Sequence, residues 1–200
     1  MLQVLGGTLN ISNTTIQNLN YAVNRGAIDV TGGTLKVDKK STIIDTNSKH
    51  AIYCTGNTTC EINDSVIKST GRYIKYDEEA VIYNGSIGTF TLSRSTVSSE
   101  LTKNGLMCEA YAVCKIVDSE VESKYGDAAI YVKNGDGYSN YLGGKMDISG
   151  SKTKITGRRA IYYYETEFSY TYRFDAWNLN ISKMAELVST SGDALDFYCK

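Results

Sequence analysis

The sequence predicts an all-β solenoid of about seven coils, built from short parallel strands. Three observations predict it. A motif of the form apolar-x-apolar-x-x-Ser/Thr-x-apolar recurs as LNISNTTI (9–16), CEINDSVI (60–67), FTLSRSTV (90–97) and CKIVDSEV (114–121). A second motif, Ala/Val followed by Ile or Leu and often Tyr, interleaves with it. The composition holds no proline, 18 glycines, and 16 tyrosines against four phenylalanines and one tryptophan. That balance suits many short strands joined by tight turns.

Looser copies of the first motif are LKVDKKSTI (35–43), MDISGSKTKI (146–155) and LNISKMAEL (179–187). Its central apolar residue falls at Ile11, Val37, Ile62, Leu92, Ile116, Ile148 and Ile181, in steps of 26, 25, 30, 24, 32 and 33. The second motif reads AIDV (27–30), AIYC (51–54), VIYN (81–84), AIYV (129–132), AIYY (160–163) and ALDF (194–197), with GLMC (105–108) as a degenerate copy. Each but the last precedes a copy of the first across a turn such as TGG (31–33). Units of this length cannot bury their own apolar face, so stacking them builds one continuous core. The gaps are too short for a helix in each repeat, and the leucine-rich pattern is missing. Strands of three to five residues remain, in coils about 4.8 Å apart.

On these motifs the chain resembles the right-handed parallel β-helix repeat family. That family includes pectate-lyase-like enzymes, phage tailspikes, autotransporter passengers and bacterial surface adhesin-like proteins. The resemblance covers roughly residues 3–199, and right-handedness is what it implies. The Ser/Thr/Asn-rich coils and variable corners look most like the surface-protein members. The expectation is one domain over 1–200, cut from a longer solenoid of a secreted or cell-surface bacterial protein. Cys199, beside the end of a coil barely begun, fits that expectation.

Cys54 and Cys60 flank one turn, and Cys108 and Cys114 hold the same two positions two coils later. The coil between has Asn84 and Phe90 there. Two strand spacings make about 9.6 Å, beyond disulfide reach, so a Cys54–Cys108 bond is disfavoured. Within a coil, the pairs either staple one corner each or stay as free, buried apolar residues. Bridges would imply an oxidising, extracellular setting. The spacing fits no common zinc site. A hydroxyl column, Thr14, Ser65, Ser95, Ser119 and Ser151, is expected to satisfy turn backbone groups.

Recognition is expected where loops break the repeat. Two insertions, 133–145 and 164–178, leave the same corner of adjacent coils. In the second, Phe168, Tyr170, Tyr172 and Phe174 alternate with polar residues that include Arg173 and Asp175, as in an extended arm. Tyr164 opens this insertion, Trp177 closes its aromatic run, and Tyr138 and Tyr141 lie in the neighbouring one. Such a row stacks on sugar rings, covers an exposed core edge, or meets another protein chain. The leading expectation is a non-catalytic adhesin-like or stalk module that binds a glycan or a host or cell-surface protein.

The runner-up is a polysaccharide lyase or glycoside hydrolase fragment. Hydrolysis needs two carboxylates about 5–9.5 Å apart. Asp38, Asp64 and Asp118 recur near one corner, but Arg94 stands between the last two, and Arg158-Arg159 lie coils away. The single histidine, His50, is expected at the surface rather than as a base. A third reading is a phage or virion spike segment. No cofactor, metal or nucleic acid is expected: the net charge is −1 and the basic residues are scattered. No apolar run reaches the ~20 residues that span a bilayer. Met1-Leu2-Gln3 lacks the opening of a signal peptide.

Overall fold

The computed structural model describes residues 2–19, 26–46, 48–70, 79–101, 103–109, 111–133, 144–165, 178–182 and 185–199. Over these residues the chain is a parallel β-solenoid without helices. Strands come in triplets, and each member joins its own sheet. Sheet A has eight strands, from Leu2–Val4 to Leu195–Cys199; sheet B has seven, from Thr8–Ser12 to Asn178–Ile181; sheet C has seven, from Thr15–Asn18 to Glu186–Ser189. Neighbours pair in parallel, as in Thr91↔Glu61 and Thr91↔Lys115.

The period-2 alternation sets the packing. In sheet B, Val37, Ile62, Leu92, Ile116 and Ile148 stack in register and are fully buried. In sheet C, Ile43, Ile67, Val97 and Val121 do the same. Sheet A contributes Ile28, Ile52, Ile82, Leu106 and Ile130. Each side chain rests on its equivalent one coil away, so no coil holds a core by itself.

Disulfides join Cys54 to Cys60 and Cys108 to Cys114. They cross the inner side of the corner from sheet A to sheet B. The coil between fills the same place with Asn84 and Phe90, and Asn84 Nδ2 donates to Cys114 Sγ at 3.2 Å. Each bridge closes a short loop, which puts its contribution at about 2 kcal/mol.

The first motif divides into two strands at the corner from sheet B to sheet C. The chain turns there through one left-handed residue: Asn13, Asp64, Arg94 and Asp118 have φ of 45–50°, and Gly150 has φ 103°. Asn, Asp and Gly tolerate that region. The second coil takes two such residues, Lys39 and Lys40, which accounts for its extra length. The next residues form the hydroxyl ladder. Ser65 N donates to Ser95 Oγ at 3.0 Å, and Ser95 N to Ser119 Oγ at 3.1 Å. The hydroxyls of Thr14, Ser65, Ser95 and Ser119 each donate in turn to the carbonyl two residues before, as Ser95 Oγ does to Ser93 O at 2.8 Å. The column therefore satisfies corner backbone groups. Ser151 does not belong to it. The longer turn shifts the place to Thr153, whose Oγ1 accepts from Ser119 N at 3.4 Å, and Ser151 is exposed. Ser41 holds the same place in the second coil, accepting from Thr14 N at 3.4 Å.

Candidate functional site

The third residue of the second motif points outward from sheet A. Tyr53, Tyr83, Met107, Tyr131 and Tyr162 lie in register on successive strands. Rings one strand apart are close enough to stack. Tyr53 and Tyr83 do so, with centroids 4.8 Å apart and planes within 17°, and His50 lies against both at 5.4 and 5.2 Å. Tyr83 Oη donates to Glu109 Oε1 at 2.6 Å. Burial first, and then the Glu109 charge, push that hydroxyl well above its ordinary pKa. Met107 interrupts the row and is fully buried.

A second aromatic group follows. Tyr131 meets Tyr162 edge-on at 5.3 Å, and Tyr164 completes a triangle at 6.1 and 6.4 Å. Arg159 lies over the Tyr162 ring at 4.2 Å and pairs with Asp196 at 2.7 Å. Tyr162 and Tyr164 are half-buried. The group stands where both insertions leave the coils. Lys133, the last residue of its strand, pairs with Tyr164, and Lys145 pairs with Asn178 where the chain returns. Tyr164 belongs to the strand Ile161–Glu165, so the second insertion begins later than its spacing suggests. Tyr138, Tyr141, Phe168, Tyr170, Tyr172, Arg173, Phe174, Asp175 and Trp177 lie outside the described residues. Tyr131, Tyr162, Arg159 and Asp196 were not among the expected binding residues. The signal for Tyr131, Tyr162 and Asp196 is the third position of the repeat, which the sequence analysis uses only for the fold; Arg159, just before the motif, carries no such signal.

The carboxylates weighed for hydrolysis are placed otherwise. Asp64 and Asp118 sit on left-handed corner residues with Arg94 between them. Arg94 Nε and Nη2 donate to Asp64 at 2.8 and 3.0 Å and hold its carboxyl below the usual range. Asp38 belongs to the preceding column, in register with Ser12. Arg158 lies 3.9 Å from Asp127.

His50 corrects the expectation of a surface residue: it is 3% exposed. It ends up inside because the outer row of sheet A packs its ring against Tyr53 and Tyr83. Its Nδ1 is 2.8 Å from the Ala80 carbonyl. Burial pushes its pKa down to about 3, with Lys103 and Lys49 lowering it further and Asp45 opposing them. The sign follows. Between pH 6.5 and 3 the unfolded chain takes up a proton that the folded chain refuses, so stability falls as the pH falls. At pH 5 the expected loss is about 2 kcal/mol. Glu79, raised by burial, runs the opposite way: its contribution is present at low pH and lost as pH rises through its folded value. Urea midpoints from pH 7 to pH 5 check this, with His50→Asn expected to remove the His50 part of the slope.

A polar cluster lies inside the solenoid at the corner from sheet C to sheet A. The inward column there is Asn18, Asp45, Ser69, Ser99 and Ser123, all buried. Lys103 Nζ reaches Asp45 Oδ2 at 3.3 Å, with side chains 3% and 0% exposed, and also donates to the Ser48 carbonyl. None of this cluster was foreseen. Among the described residues, no three His, Cys, Asp or Glu side chains gather into a metal site. No protein family, curated protein or solved structure matches this chain.

Proposed function

We propose that this chain is a non-catalytic, extracellular adhesin-like or stalk module of the parallel β-helix kind, and that it binds glycan around Tyr162 and Tyr164. One observation carries the reading: the Tyr131, Tyr162 and Tyr164 rings lie together at the roots of both aromatic insertions. Tyrosine faces stack on the apolar faces of sugar rings. Arg159 and Asp196, paired beside Tyr162, supply donors and acceptors for hydroxyls. A few polar groups on an aromatic floor are what such a ligand needs. The two disulfides support an oxidising, extracellular home.

A glycan microarray tests the reading, run with the whole chain and with a Tyr162→Ala/Tyr164→Ala variant. The expected result is a defined glycan class bound by the wild type and lost at least tenfold in the variant, with the thermal midpoint little changed. Removing two stacking platforms, each worth about 1 kcal/mol or more, accounts for that loss. Silence across the array overturns glycan binding. Binding retained by the folded variant moves the site away from these tyrosines.

A further inference from the structure

The cluster at the corner from sheet C to sheet A presents a reactive pair. A primary amine and a carboxylate meet in a dry interior, Lys103 Nζ to Asp45 Oδ2 at 3.3 Å. The two residues are two coils apart. The Asn104 amide donates to the Glu79 carbonyl at 2.9 Å, so Glu79 sits beside Lys103 in the coil between. The Lys103 side chain spans that coil to reach Asp45, near enough to Glu79 for its charge to act on the Glu79 carboxyl.

The far oxygen of Asp45 is held differently from the near one. Asp45 Oδ1 accepts from Asn18 Nδ2 at 3.1 Å, from the Ser48 amide at 3.0 Å, and from Ser48 Oγ. Two N–H donors thus converge on Oδ1, and the Ser48 hydroxyl, whose one proton is shared between Oδ1 and the His50 carbonyl at 2.7 Å, can turn to it as a third; negative charge would collect there if a nucleophile added to Cγ. Oδ2 faces the amine. Glu79 is 3% exposed, and its Oε1 is buried without a hydrogen-bond partner among the described residues.

We propose that Lys103 and Asp45 condense into an intramolecular isopeptide bond, with Glu79 carrying the proton. The steps balance. The Lys103 ammonium passes a proton to Asp45 Oδ2, leaving a neutral amine and a neutral carboxyl group. Nζ forms a bond to Cγ, and the carbonyl electron pair moves onto Oδ1. Glu79 gives its proton to the Oδ2 hydroxyl, the Cγ–Oδ2 bond breaks, and water leaves. Glu79 then takes the surplus proton from the nitrogen and is restored. One ammonium and one carboxylate become one amide and one water, with no oxidant or other reactant.

Two physical terms favour this direction. Fixing the groups in contact replaces a bimolecular encounter with an intramolecular one. Condensation also removes two charges from a site that solvates them poorly. Burial raises the Glu79 carboxyl toward its neutral form, against the opposing charges of Lys103 and Lys49. A neutral acid is what the proton transfer requires.

The experiment is an intact mass of the reduced, denatured full chain, followed by peptide mapping. The expected mass is lower than the sequence mass by one water, and mapping joins the peptide containing Asp45 to that containing Lys103. Lys103→Arg keeps the charge but is not expected to condense, and should show the full sequence mass. In Glu79→Gln the linked fraction should fall at least tenfold at equal time after expression. A wild-type chain of full sequence mass overturns the bond, whatever the variants do. A deficit that persists in Lys103→Arg, or that maps elsewhere, overturns it too. A linked fraction unchanged in Glu79→Gln removes Glu79 from the chemistry.

Discussion

Phe90→Ala is expected to lower stability by about 3–5 kcal/mol, near the upper end of that range. Phe90 is fully buried and heads the largest side chains of the core. It stacks in sheet B between Cys60 below and Cys114 above. Both neighbours are tied by disulfides to the facing strand of their own coil. A cavity costs most where its walls cannot move inward, and here two walls are covalently braced. Asn84, which faces the same corner, is held by Cys114 and cannot fill the space either. Phe90→Leu keeps most of the volume and should cost under about 2 kcal/mol. Urea unfolding checks both, with an unchanged m-value as the condition for reading midpoints as stability. A loss below about 1 kcal/mol for the alanine variant would show that the coil collapses despite its braces.

That position is legible in the sequence, and the reason is physical. A solenoid repeats its core at each coil, so inward positions recur with the chain's own spacing. The markers Ile11, Val37, Ile62, Leu92, Ile116, Ile148 and Ile181 all fall into one register column. Alternation marked the strands, and Cys-x₅-Cys marked one corner twice. Where corners change length, spacing carries less. Motif matching puts Ser151 in the hydroxyl column, but two extra corner residues move the place to Thr153. The tyrosine group is half visible in the sequence. Tyr164 stands out for the insertion it opens, while Tyr131 and Tyr162 belong to the repeat and read as scaffold. The polar cluster left no periodic trace. Asp45, Ser48, Glu79 and Lys103 come from the corner between sheets C and A, whose length changes from coil to coil. Their meeting depends on a lysine reaching across two coils, which no local pattern encodes.

Lys103→Met is the sharper test of that cluster, with an expected loss of about 3–5 kcal/mol relative to the unlinked Lys103–Asp45 pair. The hydrocarbon stem is kept, so packing changes little. What is lost is the partner of a fully buried carboxylate. Asp45 retains its bonds from Asn18 and Ser48, but those donors bring no full charge to balance its own. Asp45→Asn in the Lys103→Met background should restore much of the stability, because it removes the stranded charge and leaves an oxygen for the same donors. Asp45→Asn alone strands the ammonium instead, with the Ser48 carbonyl as its remaining acceptor among the described residues. In Lys103→Met and in the double variant the amine is gone, so no isopeptide forms in either and its loss cancels from the comparison of single with double; Asp45→Asn alone keeps the amine beside a carboxamide and stands outside that comparison. The difference between them reads the buried charge alone. A double variant no more stable than Lys103→Met would mean that water or a counter-ion reaches Asp45 once the lysine is gone, and that this corner of the solenoid is not dry.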